Sequence, residues 1–176
     1  DLDIKVNSDV NNFLINNVLR KDHILIGHNA VNLYNTKTVK NERLQIITSK
    51  PLTDEISYIK NIITITYSMY NVKVPTNLNI FKLTIFYKSN AVLDIFNNGS
   101  FELIPYINIL KYKVGTPFVI LRFRLIDAWN TLYNIKNGNM VKSTAMPVVH
   151  HIINDYITMR ELLSVDNVCS MNYIGI

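Results

Sequence analysis

His23-Ile24-Leu25-Ile26-Gly27-His28-Asn29-Ala30-Val31-Asn32-Leu33-Tyr34 is the stretch on which the fold turns. Its first five residues form a short apolar run stopped by a glycine, which by length and composition predicts a buried strand. Ala30, Val31, Leu33 and Tyr34 follow directly and predict a short helix. Upstream, Val10, Phe13, Leu14 and Val18 recur at helical spacing, with Ser8 or Asp9 available as a cap. Downstream, residues 37–43 form a polar, basic turn and Leu44-Gln45-Ile46-Ile47-Thr48 a second strand. Ser49-Lys50-Pro51 breaks the chain, and Pro51 suits a first helical turn.

A helix is predicted over residues 52–70, because Leu52, Ile56, Ile59, Ile63 and Tyr67 fall three or four apart. The β-branched stretch Ile62-Ile63-Thr64-Ile65-Thr66 works against it. Residues 71–75 turn the chain. Two strands, 80–87 and 91–96, read as a hairpin across Lys88-Ser89-Asn90. Asn97-Asn98-Gly99-Ser100 is a turn, and residues 101–107 could add an edge strand, since Pro105 argues against a central one. From Thr116 a long amphipathic helix carries Phe118, Leu121, Phe123, Leu125, Trp129 and Leu132, and ends at Gly138. Pro147 is expected to open a last helix running through Leu162. The order α-β-α-β-α-β-β-β-α-α defines an α+β domain with a small mixed sheet, flanked by helices and followed by a helical C-terminal part. Residues 1–115 are expected to form the core and 116–176 an extension packed on it as one compact unit.

Composition narrows the function. With 176 residues and 48% hydrophobic content the chain can bury a core and is not a disordered segment. A single cysteine, Cys169, excludes an internal disulfide framework and a Cys-rich zinc module, and suits a reducing compartment. No apolar run approaches the ~18–20 residues of a membrane span, so no membrane partner is expected. The net charge of +5 permits nucleic-acid binding without requiring it. The 24 asparagines and 25 isoleucines, against 5 glycines, point to an AT-rich coding genome rather than to a physical need. The chain opens at Asp1 without a methionine, as a processed or excised fragment would.

Few motifs carry chemistry. Asp1 and Asp3 would share a face if they lay on a strand, the geometry for a divalent cation. His28, His150 and His151 lack metal-ligand spacing, and neighbouring histidines on a helix point apart, so packing is their expected role and no metal site is expected. Cys169 has no identifiable base partner, and Asn98-Gly99-Ser100 is read as a plain turn. No phosphate-binding glycine motif or nucleophile elbow is present. Lys111, Lys113, Arg122 and Arg124 are the most clustered cations and interleave with Tyr112, Phe118 and Phe123. That mixture suits phosphate contact with base stacking, which makes RNA a candidate partner.

Several stretches, in order, resemble the polymerase-β-like nucleotidyltransferases, and among them the poly(A) polymerase catalytic subunits of large cytoplasmic DNA viruses. They are residues 24–34, 43–51 and 92–97, then Phe101-Glu102-Leu103-Ile104-Pro105, then Thr116-Pro117-Phe118 through Ile126-Asp127-Ala128-Trp129. The resemblance implies a glycine turn that lets backbone amides approach a triphosphate. It also implies a D-x-D pair on the next strand and a third aspartate nearby, holding two divalent ions that activate an RNA 3′-hydroxyl. Carried over, Gly27 matches the turn glycine, His28 replaces the second small residue, Arg43 and Gln45 stand in the places of the paired aspartates, and Asp94 matches the third. Glu42, one position away, would gain only Leu44 as its alternating partner.

The resemblance therefore implies a degenerate copy of the fold with no catalytic residues, in which Gly27, Arg43, Gln45 and Asp94 mark the relic positions. No cofactor is expected, and magnesium only if the domain is active after all. The expected role is a scaffold or RNA-binding part of a viral mRNA 3′-end or transcription complex in the host cytoplasm or the virion, with a protein partner or a second copy of the chain. Two rivals are an active poly(A) polymerase-type enzyme, in which Asp1 and Asp3 replace the missing pair, and a protein-interaction module without nucleic-acid binding.

Overall fold

The computed structural model describes residues 2–35, 43–72, 80–97 and 104–165, with side chains over 10–34, 43–72, 80–97 and 104–161. Helices are α1 (Leu2–Asn17), α2 (Gly27–Asn35), α3 (Leu52–Lys60), α4 (Pro117–Lys136) and α5 (Lys142–Val165). Strands are β1 (His23–Ile26), β2 (Leu44–Thr48), β3 (Thr66–Asn71), β4 (Phe81–Tyr87), β5 (Asn90–Asn97), β6 (Tyr106–Ile109) and β7 (Tyr112–Gly115). They form one mixed sheet in the order β3-β4-β5-β2-β1-β7-β6. β1 runs antiparallel to β2 and parallel to β7, while β2 runs parallel to β5. The α+β class and the mixed sheet are as the sequence implies.

Both faces of the sheet are covered, and strand alternation divides them. Leu25, Leu44, Ile46, Leu93 and Ile95 join one apolar cluster with Leu14, Val18, Leu52, Ile56 and Ile59 from α1 and α3. Ile24, Ile26, Ile47 and Phe96 point the other way, onto Val119 and Phe123 of α4. Phe96 and Phe123 meet edge-to-face at 5.2 Å between ring centres. Gln45 and Asp94, one residue out of phase with the first cluster, therefore face α4. That placement decides where the site lies.

A buried carboxylate ties the α1–β1 connection to β2 and α3. Glu55 Oε1 accepts from Arg20 Nη2 at 2.7 Å and Thr48 Oγ1 at 2.7 Å, and lies 2.9 Å from His23 Nε2. Burial opposes ionisation of Glu55, but the hydrogen bond and charge of His23, with Thr48 and Arg20, outweigh it and hold the carboxyl below its ordinary range. The Arg20 guanidinium also stacks over Tyr58 at 4.2 Å.

Four sequence expectations are corrected. The helix over 52–70 stops at Lys60, and Thr66 to Asn71 instead form β3 at the sheet edge. The helix ends just before the β-branched run, whose residues 62–65 form a turn and irregular backbone leading into β3. The first helix begins at Leu2 rather than near Ser8 or Asp9. The last helix begins at Lys142 and carries Pro147 inside it. Its first turn closes on Val141, whose carbonyl accepts from the Thr144 and Ala145 amides and the Thr144 hydroxyl. The edge strand sought over 101–107 is β6, from Tyr106, and β7, which the sequence reading did not contain, pairs with it. The β4–β5 hairpin stands as expected, with Lys88 and Ser89 both at positive φ in its two-residue turn. The helix from Thr116 spans Pro117–Lys136. Residues 36–42, 73–79, 98–103 and 166–176 lie outside the described residues, and with them the basic turn before Arg43, Glu42, the Asn98-Gly99-Ser100 turn and Cys169.

Candidate functional site

Sheet register assembles the relic positions. Gln45 stands opposite Ile26 on β1 and opposite Asp94 on β5, and Asp94 stands opposite Thr84 on β4. Gly27 follows at the end of β1 with φ +72°, a conformation that suits glycine. A side chain there would also meet Gln45 Oε1 inside contact distance. So the glycine turn, Gln45 and Asp94 converge, with Arg43 beside Asp94.

What surrounds Asp94 is the informative part. The residue is fully buried. Its Oδ1 accepts from Thr84 Oγ1 at 2.8 Å and lies 3.4 Å from Arg43 Nη1. Its Oδ2 accepts from Gln45 Nε2 at 2.9 Å and lies 3.5 Å from Lys82 Nζ. Gln45 Nε2 donates a second bond, at 3.0 Å, to Asp127 Oδ2 on α4, and Lys82 Nζ lies 3.6 Å from Asp127 Oδ1. The Gln45 amide and the Lys82 ammonium thus bridge the same two carboxylates.

The titration behaviour follows from this packing. Burial opposes ionisation of Asp94, yet Lys82 and Arg43, with the Gln45 and Thr84 hydrogen bonds, hold its carboxyl below the usual range. Burial likewise opposes the charge on Lys82, and Asp94 and Asp127 more than reverse it, raising the ammonium pKa. Arg43 is raised against the same desolvation by the same two aspartates.

A divalent cation needs several oxygen ligands at once, oriented inward. Here both Asp94 oxygens already have donors or cations beside them, and an ammonium sits between Asp94 and Asp127. An incoming magnesium ion would face Lys82 and Arg43 at close range, with only the weak Gln45 carbonyl offered from β2. The donor set does not suit a two-metal centre.

The network continues away from the sheet. Arg124 lies 3.7 Å from Asp127 Oδ2 through Nη1 and 2.6 Å from Asp155 Oδ2 on α5 through Nη2. Asp155 Oδ1 is 2.9 Å from His28 Nδ1, beside Gly27. Burial opposes ionisation of Asp155, and the His28 hydrogen bond and Arg124 overcome it, so its carboxyl lies below the ordinary range. Three carboxylates therefore alternate with three permanent cations. All but Asp155 line a cavity of about 230 Å³, with Gln45, Asn130, Thr131, Val148 and Ile152.

The other sequence candidates separate. His151 turns toward His28, ring centres 4.5 Å apart, while His150 is exposed, so the adjacent histidines do point apart. His28, His151 and Asp155 offer ligand atoms within 4.8 Å of one another, a gathering that sequence spacing did not reveal. Arg124 already holds that Asp155 carboxylate, which makes the trio a poor cation site. Asp3 lies in α1, where residues two apart diverge around the helix rather than share a face, and Asp1 lies outside the described residues. Arg124, grouped by sequence with Lys111, Lys113 and Arg122, is 4% exposed and belongs to the buried network. Arg122 is exposed on α4, and Lys111 and Lys113 stand on the β6–β7 hairpin beside a different cavity. Lys82, Thr84, Asp127 and Asp155 were missed. One signal existed: Lys82 and Thr84 alternate on a strand, which puts both on one face.

The chain has a nucleotidyltransferase-like fold. The Megavirus polyadenylate synthase crystal structure matches it with a TM-score of 0.62 over 96% of this chain and 36% of that one, at 15% identity. An uncharacterized protein of African swine fever virus, from a Malawi tick isolate, is 32% identical over 147 residues, covering 76% of this chain and 34% of the relative. Its counterpart in a South African tick isolate is 30% identical over 169 residues, covering 86% and 39%. The chain thus spans little more than a third of the length of these relatives. No protein-family model matches it. Among the described residues no helix is long and apolar enough to cross a membrane.

Proposed function

We propose that this chain is a catalytically silent nucleotidyltransferase-like domain, serving as a scaffold and RNA-contacting part of a viral mRNA 3′-end or transcription assembly in the cytoplasm of the infected cell or in the virion. The observation that carries the reading is the environment of Asp94: Lys82, Arg43 and the Gln45 amide occupy the space where nucleotidyl transfer needs two divalent ions. No metal or nucleotide cofactor is part of the proposal. The viral origin of the relatives and the polyadenylate synthase whose fold the chain shares support the setting. The scaffolding part rests on α4, where Leu125, Trp129, Leu132 and Tyr133 form an exposed apolar stripe at helical spacing. The RNA-contacting part rests on the basic balance and on the exposed cations Lys111 and Arg122 with half-buried Lys113.

The test is transfer of labelled adenylate from ATP to an RNA primer with magnesium or manganese. The expected result is no incorporation above a buffer blank. Incorporation that disappears in Asp94→Ala would establish a working polymerase and overturn the proposal.

A further inference from the structure

Two neighbouring cavities lie apart from the Asp94 network and differ in chemistry. One, of about 470 Å³, is bordered by Arg20, Lys21, Lys111 and Lys113 at the entry end of β1. The other, of about 600 Å³, is mainly apolar, with Leu25, Leu33, Leu44, Ile109 and Leu110 in its wall. They share Ile15, Leu19 and Tyr112, so they are two halves of one groove between α1, α2 and the β6–β7 hairpin.

Three details mark the groove as a binding surface. Leu110 at the hairpin tip is 83% exposed and holds φ +55°, an uncommon conformation for a bulky side chain. The lysine ammonium groups lie over aromatic rings, Lys111 5.5 Å from the Tyr112 centre and Lys113 5.0 Å from that of Tyr106, which leaves their charge available to an anion. Asn32 borders the apolar half, and its Nδ2 is buried without a hydrogen-bond partner among the described residues.

We propose that this groove binds a nucleotide unit of single-stranded RNA, its base in the apolar half beside Tyr112 and its phosphate on Lys21, Lys111 and Lys113. The assignment rests on the RNA-contacting reading above and gives it a place. A base joined to its own phosphate matches an apolar pocket continuous with a cationic rim. The rings of Tyr112 and Tyr106 beside the rim lysines favour a base over an acidic peptide with an apolar anchor, because a planar base can stack on them while its phosphate meets the ammonium groups. Arg20 is already held by Glu55 and Asp22, and so shapes the rim rather than tracking the backbone.

The experiment is fluorescence anisotropy of a labelled single-stranded 12-nucleotide RNA against the whole 176-residue chain, repeated across a salt series. Lys21→Ala/Lys111→Ala is expected to weaken binding by ~10-fold at low salt and to flatten the logarithmic salt slope by about 1.4, for two lost phosphate contacts. Tyr112→Leu is expected to weaken binding by ~5-fold or more with the slope unchanged, because stacking releases no counterions. Lys88→Ala, at the distant β4–β5 turn, should bind as the parent does. If RNA binds but both groove variants behave like the parent, the groove assignment is overturned while the RNA reading survives. If the parent binds no RNA even at low salt, both fall. If an acidic peptide carrying a leucine anchor displaces the RNA at lower concentration than unlabelled RNA does, the groove belongs to a protein partner instead.

Discussion

Lys82 Nζ lies 3.5 Å from Asp94 Oδ2, across the β4–β5 pairing and two residues from the Thr84 that also holds that aspartate. The lysine is 8% exposed and the aspartate fully buried, so each charge depends on the other. Buried pairs of this kind are not a strong source of net stability, but halving one leaves an uncompensated charge inside the protein.

Lys82→Met should therefore destabilise the chain by roughly 3 kcal/mol, and Asp94→Leu by a similar amount. The double variant should cost clearly less than the sum, with a coupling of about 1 kcal/mol or more, because the apolar pair leaves no orphan beyond what Arg43 and Asp127 can share. Urea unfolding of the four proteins measures this cycle. Strict additivity would show that the two groups do not act as a pair.

Gly27→Ala should destabilise by about 1–3 kcal/mol, since a positive φ and a close approach to Gln45 Oε1 both count against a side chain. Gln45→Ala removes the Oε1 approach and leaves the backbone cost, so Gly27→Ala should cost less in a Gln45→Ala background than in the parent. Thermal melts of the single and double variants test it, and an unchanged melting temperature in Gly27→Ala would contradict the described turn.

Asp94, Asp155 and Glu55 all have carboxyl pKa values below their ordinary ones. A depressed folded-state value means that the unfolded chain binds protons more readily, so the stabilisation is fully present above the unfolded values near 4 and is lost as pH falls through the folded ones. Melting temperature should thus be nearly flat from about pH 7 down to 5 and drop steeply below about pH 4. In Asp155→Asn the acid drop should be shallower. A parent protein equally stable at pH 3 and pH 7 would contradict the network.

Much of the site was legible because it depends on strand alternation. Gly27 ends a clear apolar strand, and Arg43, Gln45 and Asp94 each sit one residue out of phase with their apolar neighbours, so their convergence could be anticipated. Lys82 was not, because a strand gives no sign of which neighbour it will pair with or in what register. Asp127 and Asp155 come from helices whose rotation about their axes is set by packing against the sheet. Arg124 shows the converse error. Its proximity in sequence to Arg122 suggested a shared surface, yet two positions along a helix turn a side chain to another face, here into the interior. The missed β3 has a simpler cause: helical spacing was carried through to Tyr67, whereas the β-branched residues 62–65 break the helix and the strand forms after them, over Thr66–Asn71.

The occupation of the Asp94 pocket by cations can be tested directly by titrating manganese into the chain and following the free ion by electron paramagnetic resonance, with and without ATP. The account predicts no saturable binding at millimolar manganese, and curves for the parent and Asp94→Asn that superimpose. Saturable binding at micromolar manganese that Asp94→Asn removes would show that the pocket still holds a catalytic metal, and would contradict it.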